Sequence, residues 1–237
     1  MVPKNMMIRR FRRPTLLAIF AQPGSETAAP GGTLAINAWR GVRTVLVMLY
    51  GANDARLRAA VARSAFLLSV ENNFHWEGGE ESALRLARIL RSFQPGVVIT
   101  NEAAQAQSEQ AWAFASDKTV VMPGLALFDA SQSRLWRARF QPDLPAQNRE
   151  GAEESGPGRA YVDVSAARPL LRALRFFYYG TARESILTSW WRPEDGAPFV
   201  EVFDLLQGRV VTESPTTTDL FAGLYPSPSR PSISFLG

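Results

Sequence analysis

The chain has 237 residues, of which 46% are hydrophobic and 20% charged, which is globular usage and excludes wholesale disorder. It has no cysteine and a single histidine, His75, which excludes disulfides, thiolate chemistry and multi-histidine metal sites. The net charge of +4 comes from 26 Lys+Arg against 22 Asp+Glu.

That charge is unevenly placed. Residues 1–13 hold Lys4, Arg9, Arg10, Arg12 and Arg13 and no acid, which leaves 21 basic against 22 acidic residues in the rest of the chain. A basic arm on a near-neutral body is the usual way to touch phosphate, in nucleic acid or on an acidic membrane face. Residues 1–35 therefore read as an extended basic arm, punctuated by Pro3, Pro14, Pro23 and Pro30, with at most a helical turn near Leu16–Phe20. An Arg-rich organellar import sequence is its other reading, and Leu16–Phe20 is too short for a secretory signal.

An α/β domain is expected over residues 36–140. The run Thr44–Tyr50 predicts a strand. Asn53 or Asp54 then caps a helix over about 54–70 whose inner face is Leu57, Val61, Ala65 and Leu68. Residues 71–79 read as a loop, with His75 as a hydrogen-bonded structural side chain rather than a general base. A helix over about 80–94 buries Leu86, Ile89, Leu90 and Phe93 and stops at Pro95-Gly96. Val97–Thr100 is a short strand, Ala103–Ser116 a helix, and Thr119–Met122 another strand, with Leu125–Phe128 as its extension or the start of a further one. The order β-α-α-β-α-β gives α/β (or α+β) as the fold class, with short, mostly parallel strands and amphipathic helices.

Residues 141–159 are polar and carry Pro and Gly, so they read as a linker or long loop. An α+β subdomain is expected over 160–213. It opens with a strand at Ala160–Val164, followed by a helix from Pro169 to Tyr179 with Gly180 as its cap, and a second helix over Thr181–Trp191. Strands are expected at Phe199–Phe203 and Arg209–Thr212. Residues 214–237 form an extended C-terminal tail rich in Ser, Thr and Pro.

Familiar catalytic motifs are missing: the sequence has no GxGxxG, no GxxxxGK[ST], no GxSxG and no HExxH. No catalytic residue, cofactor or metal ligand is therefore assigned, and the balance tilts away from an enzyme. Three basic clusters remain as nucleic-acid contacts. They are Arg9, Arg10, Arg12 and Arg13 in the arm, then Arg134, Arg137 and Arg139 interleaved with Trp136 and Phe140, then Arg168, Arg172 and Arg175 at helical spacing. The leading expectation is a non-catalytic structural subunit of a larger assembly, coat-protein-like or ribonucleoprotein-like. Its partners would be other protein subunits and the phosphate backbone of RNA or DNA. No apolar run nears the ~20 residues of a membrane span.

The alternative is a small-molecule-binding or enzymatic α/β domain. Open parallel sheets bind ligands beyond the carboxyl ends of their strands. Those ends would carry Asn53, Asp54, Asn101 and Glu102 as a ligand crevice. The competing role for these residues is capping and turn formation.

Overall fold

A computed structural model describes residues 13–28, 30–139, 158–178, 200–208, 216–217, 219–221 and 224. Its centre is a strand, β1 (Thr15–Phe20), in which all six residues are buried. Two helices follow, α1 (Ser25–Ala28) and α2 (Gly31–Trp39), and then β2 (Arg43–Met48). Next come α3 (Ala55–Leu67), β3 (Asn72–His75), α4 (Ser82–Phe93) and β4 (Val97–Thr100). A 3-10 turn (Glu102–Ala104) leads into α5 (Gln105–Ser116), followed by β5 (Arg134–Arg139) and β6 (Arg159–Asp163). The described elements close with α6 (Arg168–Leu174), β7 (Val200–Gln207) and the two-residue β8 (Thr216–Thr217).

The strands form one sheet in the order β3-β2-β1-β4-β5-β7-β6-β8. The first five are parallel, whereas β7 is antiparallel to both β5 and β6. The fold is therefore α/β with a mixed sheet. The sequence-predicted strands at 44–50, 97–100, 160–164 and 199–203 correspond to β2, β4, β6 and β7, and the helices predicted at 54–70, 80–94 and 103–116 correspond to α3, α4 and α5.

Period-two alternation divides the core into two layers. Leu16, Ala18, Phe20, Leu46, Met48, Val97, Ile99 and Trp136 face α2, α3 and α6. Leu17, Ile19, Val45, Val47, Val98 and Leu135 face α4 and α5. Central parallel strands are covered on both sides, so their sequences read as unbroken apolar runs.

Two buried carboxylates tie the first layer together. Glu201 of β7 reaches the N-terminus of α2, accepting from the Gly32 and Thr33 N–H groups at 2.8 and 2.9 Å. Those are donors that no residue within the helix can satisfy. Burial pushes the Glu201 carboxyl up to about 7, against the lowering effect of these bonds. Gly32 is required here because a Cβ would lie 2.4 Å from the Val164 Cβ. Glu26 of α1 accepts from Ser64 Oγ at 2.6 Å, from the Gly24 N–H at 2.9 Å and from the Tyr178 hydroxyl. Burial raises its pKa too.

Several expectations are corrected. The segment read as an arm to residue 35 contains the central strand and two helices, because a buried parallel strand carries no amphipathic signature to mark it. Residues 72–75 form an edge strand despite their polarity. Thr119–Met122 forms no strand: Arg91, itself buried, donates to the carbonyls of Phe114, Ala115, Asp117 and Val120 at 2.7–3.1 Å. The guanidinium thus ends α5 and holds the segment that follows as a turn. The helix predicted at 181–191 and the strand at 209–212 lie outside the described residues. No described helix is long and apolar enough to cross a membrane.

Candidate functional site

The order of the strands locates the site. From β1 the chain crosses to β2 and then β3 on one side, and α4 carries it back past β1 to β4 on the other. The connections leaving β1 and β4 therefore diverge, which makes their carboxyl ends a topological switch point, the place where open α/β sheets bind ligands. After β1 the crevice is bordered by Ala21–Ser25, and after β4 by Asn101–Ala104.

Asn101 joins the two borders. Its Oδ1 accepts from the Ala21 N–H at 3.4 Å and the Ala104 N–H at 3.1 Å, and its Nδ2 donates to Ser25 Oγ at 3.3 Å. The same side chain thus caps the 3-10 turn and spans the switch point. Glu102 stands exposed beside it, and Gln22 is exposed on the opposite border. The β1 border is fixed from below by Glu26, whose carboxylate holds the Gly24 N–H, and by Thr27 Oγ1, which donates to the Gly24 carbonyl at 2.7 Å. The mouth is polar and its floor is anchored in the core.

Asn53 and Asp54 belong to a neighbouring, self-satisfied loop. Asp54 caps α3, accepting from the Arg56 and Leu57 N–H groups at 2.8 and 3.2 Å. The Glu77 carboxylate accepts from the Gly51 and Asn53 N–H groups at 3.1 and 3.3 Å. Gly51 has φ +89° and packs against Pro23, so this loop abuts the β1 border without joining Asn101. Of the four crevice residues read from the sequence, Asn101 and Glu102 stand at the switch point, whereas Asn53 and Asp54 act as turn and cap. His75 ends β3 with Nε2 2.9 Å from the Tyr50 carbonyl, a structural role.

The donor set does not suit a metal ion. Among the described residues no three His, Cys, Asp or Glu side chains converge. At the switch point the side chains are amide and hydroxyl with one exposed carboxylate, and Glu26 is already engaged by Ser64, Tyr178 and Gly24. A water-activating zinc takes three protein ligands from His, Cys, Asp or Glu, which the described residues do not bring together.

One strand further along, the rim becomes cationic. Arg137 of β5 lies opposite Thr100, the last residue of β4, and opposite Asp204 of β7. It donates to Gln105 Oε1 at 3.2 Å, at the start of α5, and to Asp204 Oδ2 at 3.1 Å. Arg139 also bonds Asp204 Oδ2, and Arg159 of β6 bonds Oδ1 at 3.1 Å. Partial burial raises the Asp204 pKa, but the three guanidiniums outweigh it and leave the carboxyl below its ordinary value. Nothing in the sequence signals this grouping, because Asp204 is far from all three arginines along the chain and pairs with them only through strand register.

Several arginines assigned to nucleic acid bond within the fold instead. Arg134 is fully buried and donates to the Leu220 carbonyl at 3.1 Å, and Trp136 is buried in the core. Arg13 bonds the Gly41 carbonyl and Glu71, each at 2.6 Å. Arg172 is exposed on α6 and Arg168 half-buried at its start. Arg9, Arg10 and Arg12 lie outside the described residues, as does the Arg175 side chain.

No family model and no curated protein matches the chain. Solved structures do share its fold. The 4-carboxy-2-hydroxymuconate hydratase GalB from Pseudomonas putida is similar at 15% identity over 85% of this chain and 99% of its own, with a TM-score of 0.66. A conserved protein from Thermus thermophilus matches at 19% identity over 83% of this chain and 96% of its own, with a TM-score of 0.61. The N,N'-diacetylchitobiose deacetylase from Pyrococcus horikoshii matches at 17% identity over 81% and 84%, with a TM-score of 0.57. The likeness shows a common fold. It corrects the reading of the chain as a coat-protein-like or ribonucleoprotein subunit with RNA or DNA as partner. Two of these neighbours are enzymes, and Arg134 of the second basic cluster is buried within the fold.

Proposed function

We propose that the chain is a small-molecule-binding or enzymatic α/β domain whose ligand sits over the carboxyl ends of β1 and β4. One observation carries the reading: Asn101 bridges the two diverging borders of the switch point, with its amide bonded to Ala21, Ser25 and Ala104. Polar side chains fixed in place at a switch point are what a largely pre-formed ligand site needs. The hydratase and deacetylase names of the structural neighbours support the enzymatic form of the reading. In that form Glu102 is the proton-handling group, being the carboxylate at the mouth. Glu26 is excluded from the role by its three bonds in the core.

Recognition here runs through hydrogen bonds of Gln22, Ser25, Asn101 and Glu102, with no step assigned to a metal. A thermal-shift screen of small polar metabolites against the wild type, Asn101→Ala and Glu102→Gln tests this. The expected result is a set of compounds whose stabilising shift is lost in Asn101→Ala and reduced in Glu102→Gln. Glu102→Gln alters only an exposed side chain and keeps the fold. Compounds that stabilise all three proteins equally would overturn the assignment.

A further inference from the structure

The cationic rim next to the switch point has an uneven charge balance. Among the described residues three guanidiniums converge on the single Asp204 carboxylate, which leaves this group a charge of +2. The Arg137, Arg139 and Arg159 side chains are 31%, 35% and 26% exposed, so they are partly stripped of water yet reachable. Among the described residues the other acceptors toward them are Gln105 Oε1, on Arg137, and Tyr161, on Arg159. A guanidinium carries more N–H donors than these partners occupy. Like charges gathered without enough counter-charge raise the potential of a cleft, and planar forks match carboxylate and phosphate oxygens.

Placement gives the cluster a purpose. Thr100, Arg137 and Asp204 are register neighbours across β4, β5 and β7, and Arg137 also holds the first residue of α5. Asn101, the residue after Thr100, is the bridge of the switch point. Arg139 lies two residues further along β5, toward the carboxyl-end rim. Arg137 and Arg139 share the sheet face of Leu135, the face that α4 and α5 cover over β1 and β4. The cluster is thus one wall of the same crevice.

We propose that the ligand of this crevice is an anion, a small molecule bearing carboxylate or phosphate groups, held at its charged end by Arg137, Arg139 and Arg159. The proposal rests on the switch-point reading of the ligand site and adds the substrate class. Asp204 orients the three guanidiniums and keeps them from splaying apart. The neutral end of the ligand lies toward Asn101 and Glu102.

Calorimetric titration with citrate and with inorganic phosphate tests this on the full chain. Wild-type protein should bind at least one of them, with an affinity that falls as sodium chloride is raised. Citrate alone binding points to a polycarboxylate ligand, and phosphate alone to a phosphate ester; either supports the anion site. Arg139→Gln should weaken binding about tenfold or more, the typical loss for one charge-assisted contact, and Arg139→Lys should restore part of it. Arg172→Gln, on the exposed side of α6, should bind as the wild type does, and circular dichroism checks each fold. No binding of either probe, or equal weakening by Arg139→Gln and Arg172→Gln, would overturn the anion site. Asn101→Ala separates the two readings. Loss of screen hits in Asn101→Ala without any anion binding keeps the crevice and removes the anion. Anion binding that depends on Arg139, with screen hits that Asn101→Ala leaves unchanged, confines the site to the arginines and removes the crevice.

Discussion

The link between Glu201 and α2 makes stability depend on pH in a way that can be worked out. Glu201 has an ordinary pKa of 4.5 in the unfolded chain and about 7 when folded, because burial penalises its charge. The folded state therefore binds the proton more tightly. Its stabilising contribution is complete below about 4.5 and is lost as pH rises through 7. The shift of roughly 2.5 units corresponds to about 3 kcal/mol at ~1.4 kcal/mol per unit. Glu201→Gln removes this dependence. The glutamine carbonyl can accept from only one of the Gly32 and Thr33 N–H groups, a cost of about 1 kcal/mol at every pH. The two stability curves should therefore cross. The variant is less stable than the wild type by about 1 kcal/mol near pH 4.5 and more stable by about 2 kcal/mol near pH 8. Urea unfolding of both proteins across this range measures the difference. Glu26 and Asp204 titrate alike in both proteins, so they cancel in that difference. Parallel curves with no crossing would refute the buried, proton-retaining carboxyl.

Other substitutions test separate parts of the fold. Gly32→Ala sets a methyl group 2.4 Å from the Val164 Cβ, and the overlap should cost about 1–3 kcal/mol by urea unfolding. Tyr178→Phe removes a donor from Glu26 and should cost about 1–3 kcal/mol; it should also expose the Gly24 amide to faster hydrogen exchange. Arg91→Met strips the donor from four carbonyls at the end of α5 and should cost about 2–4 kcal/mol, with fraying of residues 114–120 in hydrogen exchange. Asp204 has a depressed pKa, so the stability it confers is present above its ordinary 3.8 and is lost as pH falls; Asp204→Asn should flatten the acid limb of the unfolding profile.

The elements that announce themselves by period were legible. Leu57, Val61, Ala65 and Leu68 share the inner side of α3, and Leu86, Ile89 and Leu90 that of α4, so both helices follow from spacing. β2 and β4 followed from short apolar runs between turn signals. β1 did not, although Thr15–Phe20 is as apolar as β2. A strand buried on both faces has no alternation, and the prolines and arginines around this one matched an arm. Losing β1 also hid the switch point, since its crevice is defined by which strand lies between β2 and β4. Asn101 and Glu102 were still placed beyond a strand end, because they directly follow a readable strand. The arginine cluster could not be, because Arg137, Arg159 and Asp204 meet only through the pairing of β5, β6 and β7.

Arginine accounts for 24 of the 26 basic residues, and the structure shows why that count is a poor guide to nucleic acid. Arg91 ends a helix and shapes the turn after it. Arg134 holds the Leu220 carbonyl from within the sheet, and Arg13 and Arg43 share Glu71 at its edge. At Arg91 the planar fork supplies several donors to carbonyls that would otherwise be left unpaired. Charge excess matters for binding only where such internal acceptors run short. Among the described residues that shortage is clearest at Arg137, Arg139 and Arg159, where three forks share one carboxylate. That same place adjoins the β1–β4 switch point, which is why the anion is proposed there.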